Sequence, residues 1–281
     1  MGQRSRLLGL LRAAGSLLPG DRLKTAFYRG MIAKPRAALR QLLTGFYRID
    51  VIYSVLAEAR AYQGKLSILE FGTHRGYAFT KMLYAAEYMG LADRVTVHAF
   101  DSFAGLPPPA DRRDENLVTE DAVFAAGQFP GNYEELERYC RSRYNHYAIH
   151  RGYFEDVLTP EVLETFREQL PILVWIDCDY YSSTRTVMER LLPFIPSACL
   201  VYLDDYDYNY GSRLTGEARV LHEINSGKFG NDIELVVDRR LGLDSDSVYR
   251  FVRFEGGPQY QRVEPYQLRT GRARHNDSAL P

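Results

Sequence analysis

Two pairs of carboxylates carry the strongest chemical signal in the chain. Asp177-Cys178-Asp179 follows directly on an apolar run at 171–176, and Asp204-Asp205 follows on a second run at 199–203. Like charges aimed at one point repel unless a cation sits among them. An all-oxygen ligand set suits Mg²⁺, with Mn²⁺ or Ca²⁺ as alternatives. The competing reading is a set of turn and cap aspartates, and Asp179 does precede Tyr180-Tyr181-Ser182-Ser183-Thr184, where a helix start needs a cap. The presence of both pairs favours the metal.

A second group of residues suits a nucleoside ligand. Glu70, Gly72 and Gly76 surround a turn that follows the apolar run 66–71, and Asp101 ends the run 95–100. The turn is not Gly-x-Gly-x-x-Gly, so a dinucleotide site is weakly supported. Gly72 and Gly76 let the backbone approach a ligand closely, Glu70 can face an ammonium group, and Asp101 is placed for ribose hydroxyls. Those features suit an adenosyl cofactor. His98 and His150 fall inside strand patterns and read as core residues, while His74 in the turn is a weaker cofactor contact. Tyr206, Tyr208 and Tyr210 follow the Asp204-Asp205 pair and are placed to wall an acceptor site.

The elements that must position these groups alternate in type. Apolar runs at 66–71, 95–100, 147–150, 171–176 and 199–203 are separated by helical patterns, with two further strand patterns at 233–237 and 248–254 joined by a Gly- and Asp-rich turn. Strand and helix in alternation imply an α/β fold on a mostly parallel sheet, with an antiparallel last strand. In such sheets ligands bind outside the carboxyl ends of the strands. Every cluster named above sits at such an end.

Composition sets the limits. A 281-residue chain with 46% hydrophobic residues can bury one sizeable core. The net charge of -1 gives no electrostatic case for nucleic acid, and a small-molecule acceptor is expected. Cys140, Cys178 and Cys199 form no paired framework, which fits a reducing cytoplasm. Residues 1–48 hold ten Lys or Arg against Asp21 alone and read as a basic helical extension, too short and charged to span a bilayer. The catalytic domain is expected over 49–256, with a lid-like insertion at 104–131 and a mobile tail at 257–281. A homo-oligomer is compatible with this layout.

Four stretches together resemble the macrocin O-methyltransferase family: Leu69-Glu70-Phe71-Gly72-Thr73-His74-Arg75-Gly76, Asp101-Ser102-Phe103-Ala104-Gly105-Leu106-Pro107, Ile176-Asp177-Cys178-Asp179-Tyr180-Tyr181-Ser182-Ser183-Thr184 and Leu203-Asp204-Asp205-Tyr206. The resemblance implies a Rossmann-like, seven-stranded class I methyltransferase fold using S-adenosylmethionine. It further implies that Asp177, Asp204 and Asp205 bind Mg²⁺ and that Asp179 is the candidate general base. Glu70, Gly72, Thr73, Gly76, Asp101, Ser102, Tyr153 and Phe154 are then the cofactor contacts. The chain departs from the family pattern at His74, Tyr77, Ser182 and Ser197-Ala198. The expected reaction is methyl transfer to a hydroxyl of a glycoside or other diol-bearing small molecule, in natural product biosynthesis. A metal-dependent glycosyltransferase built on Asp177-x-Asp179 is the alternative enzyme, and a non-catalytic adenosyl-binding partner protein the alternative outside catalysis.

Overall fold

The computed structural model describes residues 48–115, 124–239, 241 and 247–263. The basic segment before Arg48, part of the 104–131 insertion and the tail beyond Val263 lie outside the described residues. In chain order the elements are helix α1 (Ile49–Ala59), strand β1 (Lys65–Phe71), α2 (Tyr77–Tyr88), β2 (Val95–Asp101), α3 (Tyr133–Arg141), β3 (Tyr147–Arg151), the single turn α4 (Phe154–Val157), α5 (Pro160–Glu168), β4 (Gln169–Ile176), α6 (Tyr181–Leu191), β5 (Leu200–Leu203), α7 (Gly216–Asn225), β6 (Ile233–Val237) and β7 (Val248–Arg253). A short 3₁₀ turn spans Arg112–Asp114.

The strands form one sheet in the order β3-β2-β1-β4-β5-β7-β6. All pairings are parallel up to β5, and β7 runs antiparallel to both β5 and β6. The closing hairpin therefore inserts its second strand next to β5 and leaves its first at the edge. Central strands buried on both faces explain why β1, β4 and β5 read as largely apolar runs.

Side chains alternate across the pleat and feed two cores. Leu66, Ile68, Val97, Leu173 and Trp175 meet α1, α2 and α3 on one face. Leu69, Phe71, Val174, Ile176 and Val201 meet α5, α6 and α7 on the other. The result is a three-layer α/β/α sandwich of Rossmann-like type, as the alternation of patterns requires. Among the described residues no helix is long and apolar enough to cross a membrane. All three cysteines are buried and unpaired.

The first residues of the segment expected as a tail are ordered by packing. Tyr260 stacks on Tyr62 with ring centroids 4.2 Å apart, its hydroxyl donates to the Pro171 carbonyl, and Arg262 bridges to Tyr62.

Candidate functional site

The parallel ladder runs on past the strand ends. Gly72 N–H donates to Phe100 O (3.0 Å), Asp177 N–H to Phe71 O (2.9 Å), Asp204 N–H to Ile176 O (2.9 Å) and Gly152 N–H to Asp101 O (2.9 Å). These bonds hold the four loops in line along one edge. They open on a single cavity of about 630 Å³.

On its β1–β2 side the walls are backbone and satisfied polar groups. Gly72 adopts φ +90°, and a Cβ there would fall 1.7 Å from the Asp177 carbonyl oxygen, so only glycine lets the β1 turn meet the acidic loop after β4. Asp101 accepts His74 N–H through Oδ2 (2.6 Å) and Phe103 N–H through Oδ1 (2.5 Å), which fixes both neighbouring loops. Ser102 Oγ donates to Gly105 O and accepts Ala104 N–H. Tyr153 is half-exposed, and Phe154 packs its edge on Phe71. Gly72, Asp101, Ser102, Tyr153 and Phe154 all line the cavity.

Glu70, Thr73 and Gly76 stand behind that wall. Glu70 is 1% exposed, and one carboxylate oxygen has no hydrogen-bond partner. Burial and then the charge of Asp101 push its pKa well above the carboxylate range. Thr73 is buried beside it, and a Cβ on Gly76 would strike Leu136 at 2.4 Å.

The β4–β5 side is built differently. Asp177, Asp179, Asp204 and Asp205 line the cavity together. Burial is the largest cause raising all four, and for Asp177, Asp179 and Asp205 the repulsion of neighbouring aspartates adds to it. Asp179 is pushed up to about 8 and Asp205 to about 7, Asp177 well above its usual range, and Asp204 upward. Asp179 is held at φ +61° in the left-handed region, and its carboxylate is raised beside that of Asp205. Tyr202 Oη donates to Asp204 Oδ1 at 2.5 Å.

A fifth carboxylate, Glu217 at the start of α7, accepts Asp205 N–H through Oε2 at 3.0 Å. It is 1% exposed and its own pKa is raised well above normal by burial and by Asp205. Asp205 Oδ2 and Glu217 Oε1 are buried with no partner. Orphaned carboxylate oxygens of this kind fit a hard divalent cation. Among the described residues no three His, Cys, Asp or Glu side chains converge as a ready-made metal site, and Asp204 is engaged by the Tyr202 hydroxyl.

Leu106 and Pro107, which close the second of the four stretches, line the cavity. Other wall residues have no signal in the sequence: Pro108, Phe124 and Phe129 line the cavity from the 104–131 segment, and Glu155 and Asp156 line it from α4. His74 also reaches the wall, whereas Tyr206, Tyr208 and Tyr210 do not. Among the described lining residues there is no Lys or Arg. His98 and His150 form a stacked pair away from the cavity, Nδ1 to Nε2 3.1 Å, and burial lowers both to about 4.

Comparison with known proteins follows the same lines. The model of the macrocin O-methyltransferase family, TylF, matches residues 29–233. The crystal structure of CalS11, a calicheamicin methyltransferase, is similar over 91% of this chain and 94% of its own, at 15% identity and a TM-score of 0.55. The O-methyltransferase NovP is similar over 74% of this chain and 80% of its own, at 21% identity and a TM-score of 0.54. No curated protein matches the sequence.

Proposed function

The chain belongs to the macrocin O-methyltransferase family and is an O-methyltransferase, and from that premise we propose that it methylates a hydroxyl of a sugar or other diol-bearing small molecule, using S-adenosylmethionine and Mg²⁺. The observation that carries the proposal is the two-sided cavity, with Gly72 and Asp101 on one wall and four aspartates on the other. S-adenosylmethionine, when bound, supplies an activated methyl group, and a divalent ion, when bound, lowers the pKa of a coordinated hydroxyl.

The residues divide the work. Gly72, Asp101, Ser102, Tyr153 and Phe154 border the adenosyl group, with Glu70, Thr73 and Gly76 shaping the turn from behind. Asp177, Asp204 and Asp205 would hold the ion, and a vicinal diol would present two oxygens to it. Asp179 takes the acceptor's hydroxyl proton onto its carboxylate, leaving the oxygen its electron pair for the methyl carbon. With its pKa at about 8, Asp179 is largely protonated at neutral pH. Positive charge brought beside it lowers that value and frees the base.

The glycosyltransferase alternative needs a pyrophosphate. Arg or Lys commonly accompanies the metal at a pyrophosphate site, and the described lining supplies neither. The test is ligand-induced stabilisation of the protein, measured without and with added Mg²⁺. S-adenosylhomocysteine should raise the melting temperature by mass action and a UDP-sugar should not. A shift with the UDP-sugar alone would reverse the assignment.

A further inference from the structure

One buried carboxylate outside the cluster ties the two walls together. Asp114 ends the 3₁₀ turn in the 104–131 segment and is 4% exposed. Its Oδ1 accepts Ser182 N–H at 2.8 Å, and Oδ2 accepts Ser182 Oγ–H at 2.8 Å, Ala110 N–H at 2.9 Å and Asp111 N–H at 3.0 Å. Ser182 lies in the first turn of α6, whose own N-cap residue Tyr180 makes no side-chain cap. A residue 68 positions away therefore caps α6.

The surroundings reinforce the tie. Thr215 Oγ1 donates to Arg113 O at 2.5 Å, and the Arg113 guanidinium lies 5.1 Å over the Tyr181 ring. Thr215 precedes α7, whose Glu217 holds the Asp205 backbone. The strap 110–114 is thus bonded to the two elements that carry the parts around Asp179 and Asp205. Its other end is cavity wall, through Leu106, Pro107, Pro108 and Ala110.

We propose that Asp114 is a positioning residue that locks the acceptor-side wall at 106–110 to the helix start beside Asp179, so that wall and general base keep one geometry. The proposal rests on the methyltransferase reading for the word acceptor, while the lock itself stands on the hydrogen bonds alone. Asp114 makes no contact with the β1–β2 wall. The adenosyl half should therefore be indifferent to its loss.

The variants Asp114→Ala, Asp114→Asn and Ser182→Ala separate the parts of the lock. Alanine removes all four bonds. Asparagine keeps an oxygen for Ser182 N–H and an amide that the Ser182 hydroxyl can accept, but offers no acceptor to Ala110 and Asp111. Ser182→Ala removes one bond. Hydrogen exchange read by NMR on the full-length protein should show the Ala110, Asp111 and Ser182 amides of Asp114→Ala speeding up about 10–100-fold, as for bonds to a buried charged acceptor. Asp114→Asn should speed up only the first two, and Ser182→Ala should leave them protected. Calorimetric S-adenosylhomocysteine affinity should stay within about twofold in all three, as expected for a site outside their contacts. Unchanged exchange at Ala110 and Asp111 in Asp114→Ala overturns the proposal. So does an S-adenosylhomocysteine affinity that falls along the series, or an acceleration spread equally over β1 and β4. Failure of the unmodified protein to bind S-adenosylhomocysteine would count against the methyltransferase cofactor instead, leaving the exchange pattern to judge the lock.

Discussion

The two halves of the cavity solve opposite problems with the same strand ends. At β1 and β2 the wall is bare backbone and an aspartate whose two oxygens already accept backbone N–H groups. The cavity face of that half has its polar groups satisfied before any ligand arrives, and its unpartnered oxygens, on Glu70 and Thr73, lie behind the wall. At β4 and β5 the aspartates repel one another, which raises Asp179 and Asp205, and buried oxygens of Asp205 and Glu217 lack partners. That half is stable as a set only with added protons or an added cation. Geometry is fixed along the β1–β2 wall, and charge is left open along the β4–β5 wall.

The contrast breaks most completely if the open half is emptied. Asp177→Ala, Asp204→Ala or Asp205→Ala should weaken Mg²⁺ binding and abolish turnover together, while S-adenosylhomocysteine still binds. Metal titration and methyl-transfer assays on each variant check this. Asp179→Asn should keep the metal and slow single-turnover methyl transfer by about 10²–10⁴-fold, the usual contribution of a general base. Loss of metal binding in that variant would move Asp179 among the ligands.

The β1–β2 half breaks through its backbone. Gly72→Ala forces a Cβ into the Asp177 carbonyl at positive φ, and should cost about 3 kcal/mol or more of stability. Denaturant unfolding measures the loss, and a cost under 1 kcal/mol would show that the two loops are not in contact.

The pH dependence of stability sharpens the comparison with a smaller effect. A carboxylate whose folded pKa is raised contributes stability that is complete below about pH 4 and lost as pH rises through the folded value. For Asp205 and Asp179 that loss runs through about 7 and about 8. His98 and His150, lowered to about 4, act oppositely and lose their contribution as pH falls from about 6.5. The metal-free melting temperature should therefore drop by roughly 5 °C between pH 6 and pH 8.5, because the carboxylate loss exceeds what the histidines regain between pH 6 and about 7. Mg²⁺ at pH 8.5 should restore most of it. Smallest of all, Glu217→Gln keeps an oxygen for Asp205 N–H and replaces a buried group that can ionise with one that cannot. It should stabilise the metal-free protein by about 1 kcal/mol at pH 8, read by urea unfolding.

Much of the fold was legible because central parallel strands are apolar runs ended by polar residues. The runs leading to Gly72, Asp101, Asp177 and Asp204 are all strands, with the ladder bonds continuing into those residues. The α/β class and the antiparallel last strand follow from pattern alone. The place of β7 between β5 and β6 does not, since a hairpin pattern is silent on which strand joins the sheet.

At the site, residues adjoining strand ends could be read from position. Those acting at a distance could not. Glu217 reaches Asp205 from a helix, Asp114 reaches Ser182 across 68 positions, and neither carries a local spacing signal. Glu70 shows the opposite limit, because its type and position suggested a ligand contact while the pleat turns it behind the turn with Ile68 and Leu66. Tyr260 packs although its segment lacks periodicity, because a single aromatic stack on Tyr62 needs none.

The central claim is that the β4–β5 half holds protons in place of a cation. Calorimetric titration of Mg²⁺ at pH 7, repeated in two buffers of different ionisation enthalpy, counts the protons released as the ion binds. Roughly one to two protons per ion are expected, since Asp179 and Asp205 titrate at about 8 and about 7. Ion binding with no proton release, or no binding by folded protein at millimolar Mg²⁺, would contradict the account.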